Sequence, residues 1–432
     1  MPPIVGRKGF RRWLAFLGPA YLVSVGYMDP GNWATDLLGG SRYGYALLWV
    51  VGLSSLMAVF LQTLCARLGL VSGKDLAQAC RDLCPPTASK ALWALAEVAI
   101  VACDVAEVIG SAVALKLLFN LPLPAGVLLT GFDVLLLLAL SRFGVRKVEA
   151  VVIALVATIF VSFALNLFWA RPNLGAAAVG LLRPSLPDRD ALLIAVGILG
   201  ATVMPHNLYL HSSIVKNRRS GDRREEVRYA TWDTLIALGG AFFVNAAILM
   251  LAAAVFGARG QVVEQLEDAH RLLGPYLGGF SSTLFAVALL ASGQSSTLTG
   301  TLAGQIVMEG FTDLRVVPWV RRLVTRLLAI VPAMLIVVAY GADVNRPLVL
   351  SQVVLSMQLP FAVVPLVLFT SDRRLMGEFA NPAWSRIVGV LVCATILAAD
   401  LYLLGASYGW LSVGLGVAAL GGFFAYAFRK RA

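Results

Sequence analysis

The stretch that decides the fold reads Ser24-Val25-Gly26-Tyr27-Met28-Asp29-Pro30-Gly31-Asn32-Trp33-Ala34-Thr35-Asp36. It lies inside an apolar segment of membrane-spanning length, yet three consecutive positions oppose a continuous helix. Pro30 removes a backbone donor and restricts Asp29. Gly31 permits a positive φ, and Asn32 is a good N-cap for a helix that resumes. The helix is therefore expected to unwind at 29–31, near mid-membrane. An ionisable group at that depth costs about 2.5–3.5 kcal/mol on insertion scales. Unwound backbone there is tolerated only where it lines a cavity or is buried in protein. A carboxylate, an amide and freed carbonyls converging on one point make a cation site.

A second break follows at Gly200-Ala201-Thr202-Val203-Met204-Pro205-His206-Asn207-Leu208-Tyr209-Leu210-His211. Pro205 again interrupts an apolar helix near its middle, with polar groups clustered at the interruption. Either motif alone reads equally well as a proline kink packed with satisfied polar groups. Together they fall in corresponding positions of two five-helix halves, which is the pattern of an inverted-repeat transporter with a midplane site.

The remainder of the chain supports a membrane protein. Of its 432 residues, 59% are hydrophobic and only 14% charged, against about 25% charged in soluble domains. Twelve apolar segments run through it, at 13–40, 45–70, 91–118, 123–140, 148–170, 190–216, 231–257, 281–309, 323–340, 347–370, 386–405 and 409–428. Each is near the roughly 20 residues that cross the hydrocarbon core. Lipid offers the backbone no partner and no barrel-type alternation is present, so these segments are helices. With the N-terminus inside, the inside loops carry 26 of the 35 Lys and Arg residues. That asymmetry places both termini in the cytosol. The basic charge is scattered over many loops, which fits topology and anionic lipid rather than nucleic acid. No phosphate-binding loop is present, so nucleotide drive is not expected. The first 12 residues are not a cleavable signal, because the apolar segment after them is long, interrupted by Asp29 and followed by many more.

The ligand types narrow the substrate. Asp29 and Asn32 offer hard oxygen, whereas Met204 offers a thioether. Mg²⁺ and Ca²⁺ want oxygen only, while first-row transition metals and Cd²⁺ accept sulfur. Helix 3 carries Glu97, Asp104 and Glu107 as a carboxyl stripe along an apolar helix. Such a stripe serves ion pairing or a proton route, with Arg321, Arg322 and Arg326 as partners. His206 can carry a proton near neutral pH. His211, five residues on, reads as a helix-end polar contact. Cys65, Cys103 and Cys393 read as packing residues. Cys80 and Cys84 sit a turn apart in a cytosolic loop, with no second pair to complete a zinc set.

Asp29-Pro30-Gly31-Asn32 together with Met204-Pro205-His206 resembles the signature pair of the Nramp (natural resistance-associated macrophage protein) family, its bacterial manganese importers in particular. The resemblance extends over about 10–405, including Gly39 to Tyr45, Asp104 to Glu107, Gly197 to His206, Ala288 to Ser296 and Ser351 to Ser356. It implies a leucine-transporter-like fold. Two inverted five-helix repeats, helices 1–5 and 6–10, would span about 13–170 and 190–370 of one transmembrane domain. Helices 1 and 6 would be discontinuous, and two C-terminal helices would follow at about 386–428. It implies metal ligands at Asp29, Asn32, Met204 and the Ala201 carbonyl, with the Gly26 carbonyl and Gln352 joining in some conformations. It implies a proton route through His206, Asp104 and Glu107, continuing to Glu97, Arg321 and Arg322. The expected activity is proton-coupled import of Mn²⁺, Fe²⁺ and related ions across a bacterial inner membrane, with the metal as cargo, no cofactor and no enzymatic reaction. Three alternatives stay open at this point: a sodium-coupled organic symporter on the same fold, a channel, and an intramembrane metalloenzyme. The last lacks a His-Glu-x-x-His motif.

Overall fold

A computed structural model describes residues 18–132, 145–216, 218, 221–313, 318–341 and 343–428. The described residues are mostly helical, without a strand. The helices are α1 (Pro19–Ser24), α2 (Pro30–Tyr43), α3 (Leu48–Ser72), α4 (Leu76–Leu83), α5 (Pro86–Phe119), α6 (Leu123–Thr130), α7 (Val145–Ala170), α8 (Leu174–Leu182) and α9 (Arg189–Thr202). After the second break come α10 (Pro205–Val215), α11 (Arg223–Val255), α12 (Leu266–Leu277), α13 (Gly279–Thr312), α14 (Pro318–Tyr340), α15 (Asn345–Ser371), α16 (Arg373–Met376), α17 (Ala383–Tyr408) and α18 (Trp410–Phe428).

Nine spans among the described residues are long and apolar enough to cross a membrane, the interrupted pair α9 and α10 counted as one. Three of the twelve expected segments are not among them. The segment at 13–40 is broken, and part of 123–140 lies outside the described residues. The third, 281–309, forms the 34-residue helix α13, but its middle is rich in serine and threonine. Large apolar side chains on α14, α17 and α18 point outward, among them Leu335, Val338, Ile387 and Leu411. Outward-facing apolar surface of this kind suits lipid rather than water.

Both interruptions are present. The first is a 3₁₀ turn at Val25–Met28, after which Asp29 is extended (φ −67°, ψ 171°) and α2 begins at Pro30. The expectation placed the cap at Asn32; the cap is Asp29. Its carboxylate accepts the N–H groups of both Gly31 and Asn32, and Pro30 occupies the first helical position, where no donor is needed. At the second break α9 stops at Thr202, Met204 is extended (φ −77°, ψ 123°), and Pro205 opens α10.

Packing follows the two breaks. α2 lies against α11, the first whole helix after the second break, and α10 lies against α3, the first whole helix after the first break. The short helix after each break thus packs on the first whole helix after the other. The two 34-residue helices α5 and α13 run along each other and flank the interruptions. A Cβ at Gly110 of α5 would collide with the Pro30 ring, so the glycine lets α5 approach the first break closely. α15 covers α9 from the other side, and α17 packs behind α15.

Candidate metal site at the two helix breaks

Asp29, Asn32, Ala201 and Met204 are all buried. Asp29 Oδ1 accepts the Asn32 backbone N–H at 3.1 Å and the Asn32 side-chain amide at 2.6 Å. The same amide donates to the Ala201 carbonyl at 3.1 Å, 169 residues away in sequence. The two breaks therefore meet at Asn32. To present its carbonyl oxygen to a cation, this amide must turn end for end, since the NH₂ cannot be a ligand. Met204 packs with Cys103 and Leu355 in a small buried cluster. Gln352 lies beside the first break: a Cβ on Gly31 would collide with its amide. Gln352 Nε2 donates to Ser351 Oγ at 3.0 Å, and its Oε1 has no hydrogen-bond partner among the described residues. Gly26 approaches Asn207 of α10, whose amide would meet a Cβ there.

Several contributors were missed in the sequence. The carbonyls released by unwinding are largely taken by other helices. Asn245 Nδ2 donates to Tyr27 O at 2.8 Å, Ser292 Oγ to Met28 O at 2.5 Å, and Ser296 Oγ to Val25 O at 3.4 Å. The freed carbonyls of Val25, Tyr27 and Met28 thus each carry a side-chain donor, as does that of Ala201 at the second break. Asp36 is 1% exposed, and neither of its oxygens has a hydrogen-bond partner among the described residues. Its position, four residues after Asn32 and seven after Asp29, puts it on the same helix face. That spacing was readable.

The carboxyl stripe divides. Glu107 and Asp104 are buried and both face Gly300 of α13, where a Cβ would stand 2.8 Å from Asp104 Oδ1 and 3.5 Å from either Glu107 oxygen. The Cys103 thiol donates to Glu107 Oε1 at 3.7 Å and lies 3.9 Å from His206 Nε2. His206, Cys103, Glu107 and Asp104 are therefore neighbours. Glu97 lies two turns away, half-buried, accepting from Trp93 Nε1 at 2.9 Å. Arg326 is buried and donates twice to the Thr130 carbonyl, at 3.1 and 2.7 Å. The side chains of Arg321 and Arg322 lie outside the described residues. His211 is not at a helix end. It is buried within α10, with Nδ1 2.9 Å from Gln62 Oε1, and Gln62 Nε2 donates to Tyr27 OH at 2.7 Å. A relay thus joins α10, α3 and the first break. Cys80 and Cys84 do not lie in an open loop. Both are buried, at the end of α4, which opens with a capping box between Asp75 and Gln78.

Two broken helices meeting at buried polar groups, flanked by two long helices, define a multi-pass membrane protein with a leucine-transporter-like fold. Mhp1, a nucleobase-cation-symport-1 family transporter in a closed conformation, shares that fold at a TM-score of 0.60 and 16% identity, covering 95% of this chain and 93% of its own. MhsT in complex with L-phenylalanine does so at 0.62 and 15%, covering 88% and 98%. The chain belongs to the Nramp family: the model for natural resistance-associated macrophage protein-like sequences matches residues 20–406. It is 54% identical to the divalent metal cation transporter MntH of Nostoc sp. over 412 residues, 93% of each chain. It is 56% identical to MntH of Xanthomonas campestris pv. campestris over 409 residues, 92% of each. The crystal structure of the Eremococcus coleocola manganese transporter, in complex with an aromatic bis-isothiourea substituted compound, superposes with a TM-score of 0.88 at 37% identity, covering 98% of this chain and 95% of that one. Members of this family are metal transporters, and the expectation of a non-enzyme holds on that ground.

Proposed function

We propose that the chain imports divalent transition metals by alternating access, Mn²⁺ and Fe²⁺ first, with Cd²⁺, Co²⁺ and Zn²⁺ as further substrates, and that protons move with the metal. The observation that carries this reading is the meeting of Asp29, Asn32 and the Ala201 carbonyl across the two breaks, with Met204 at the second. One carboxylate, one amide and one carbonyl supply hard oxygen, and the thioether adds a soft donor that hard ions do not use. Gln352, which lies against Gly31, joins the set as α15 moves in this reading. The Gly26 carbonyl stays a further candidate ligand. Names of the relatives support the substrate class.

Proton coupling rests on His206, Asp104 and Glu107, which cluster on the α5 side of the metal site. Glu97, Arg321 and Arg322 extend the route in this proposal. Buried ionisable groups within membrane helices commonly mark such relays. The membrane is the bacterial inner membrane and both termini are cytosolic in this reading, on the Lys and Arg asymmetry.

The test is uptake by purified protein in proteoliposomes carrying an internal metal reporter and an internal pH dye, against a panel of ions. The expected result is Mn²⁺ influx with acidification of the lumen, inhibited by Fe²⁺ and Cd²⁺ but little by millimolar Ca²⁺ or Mg²⁺. Influx that is indifferent to a proton gradient removes the coupling. Equal competition by Ca²⁺ removes the substrate assignment.

A further inference from the structure

Cys103 lies outside the ligand set above, yet its surroundings are those of a donor. It is 1% exposed on α5. Its sulfur is 3.9 Å from His206 Nε2, its S–H points to Glu107 Oε1 at 3.7 Å, and its side chain packs against Met204. His206 is itself only 2% exposed, and its Nδ1 has no hydrogen-bond partner among the described residues. One Glu107 oxygen, Oε2, is likewise without one. A thiol, an imidazole and a thioether thus lie together, buried, beside the helix breaks.

We propose that Cys103 and His206, with Met204, form a second metal station that takes thiophilic divalent ions, Cd²⁺ above all. A tetrahedral ion with a metal–sulfur bond of about 2.3 Å and a metal–nitrogen bond of about 2.0–2.1 Å holds those two donors about 3.6 Å apart. The observed sulfur–nitrogen separation of 3.9 Å is within a few tenths of that, and a larger ion needs less adjustment. Among the described residues no three His, Cys, Asp or Glu side chains form a metal-holding group. The donors here are two of that kind plus a thioether, and Glu107 acts as proton acceptor rather than ligand. On binding, the Cys103 S–H bond breaks, a sulfur–metal bond forms, and the proton passes to the Glu107 carboxylate. The metal needs the thiolate, and Glu107 stands where the proton must go. Mn²⁺ gains little from a thiolate and lies lowest in the divalent affinity order, so it bypasses the station. A Cd²⁺ ion held there also occupies His206. The inference needs only binding and goes beyond the transport reading, with Met204 shared.

Titration of the purified full-length protein with Cd²⁺, followed by the thiolate-to-cadmium charge-transfer absorbance, tests it. The parent is expected to give a saturable band at one Cd²⁺ per chain, and Mn²⁺ none. The band should vanish in Cys103→Ala and in Cys103→Ser, which keeps the side-chain size. In His206→Ala its midpoint should rise by about 10-fold or more, the scale on which shells of a metal site count. It should persist in the Cys80→Ser/Cys84→Ser double variant and in Asp29→Ala. A band unchanged in Cys103→Ala and Cys103→Ser overturns the station. A band that disappears in Asp29→Ala also overturns it as a separate site, because the thiol would then be reporting the transport site. Failure of the transport reading itself shows elsewhere, as Mn²⁺ uptake that survives Asp29→Ala.

Discussion

At the residue scale, Met204 carries selectivity and Asp104 carries proton movement in this account. Met204→Ala leaves a site of oxygen ligands, which suits hard ions better. Cd²⁺ affinity is expected to fall by more than Mn²⁺ affinity, and millimolar Ca²⁺ or Mg²⁺ should become an effective competitor. Uptake of both metals by parent and variant vesicles measures this; an unchanged ion ranking with Ca²⁺ and Mg²⁺ still ignored would show that Met204 is packing. Asp104→Asn is expected to keep metal binding and lose most lumen acidification, read by metal flux and internal pH together. Unchanged acidification would leave Asp104 a structural role. Asp29, Asn32 and Met204 stand out in the sequence because each lies within two residues of a proline that breaks an apolar helix. Asp36 was legible by spacing alone and was passed over. Cys103 was not legible: its neighbours His206 and Met204 lie about a hundred residues further on, and in the sequence it is one cysteine in an apolar helix.

At the scale of the elements, the first break is held open by α11 and α13. Asn245 reaches Tyr27 O across 218 residues of sequence and Ser292 reaches Met28 O across 264. No local pattern could announce these partners, which is why the unwound carbonyls seemed free. Asn245→Ala leaves a buried carbonyl without its donor, a loss of about 1–3 kcal/mol. The expected outcome is a lower thermal unfolding midpoint in detergent; a midpoint equal to the parent's would mean that water or another group takes the donor's place. The helix resumes at Pro30, not after Asn32, because the Asp29 carboxylate can accept two N–H groups where an N-cap at Asn32 would leave them unpaired. The short helices α4, α8, α12 and α16 escaped a reading tuned to membrane-length runs. For α4 the signal was present, since Asp75 and Gln78 stand at the spacing of a capping box.

At the scale of the whole molecule, apolar length and paired breaks carried the fold, while charge asymmetry is the ground of the proposed orientation. The orientation predicts that protein tags on either terminus are shielded from protease in intact spheroplasts and cleaved after lysis; cleavage of either tag before lysis would reverse or split the topology. The proposed alternating access ties these parts together, since in it the ion sits where the two interrupted helices meet and both move around it. The measurement that reaches this most directly is Mn²⁺ uptake into proteoliposomes under an inward proton gradient, parent against Asp29→Ala, with matched reconstitution and unchanged thermal unfolding as the control for folding. Asp29 is the carboxylate at the junction of the breaks, so its loss should cost more than the roughly 10–100-fold that outer-shell partners of a metal site are worth. The account predicts uptake indistinguishable from protein-free vesicles. Uptake by a folded Asp29→Ala protein at the parent's rate would contradict it.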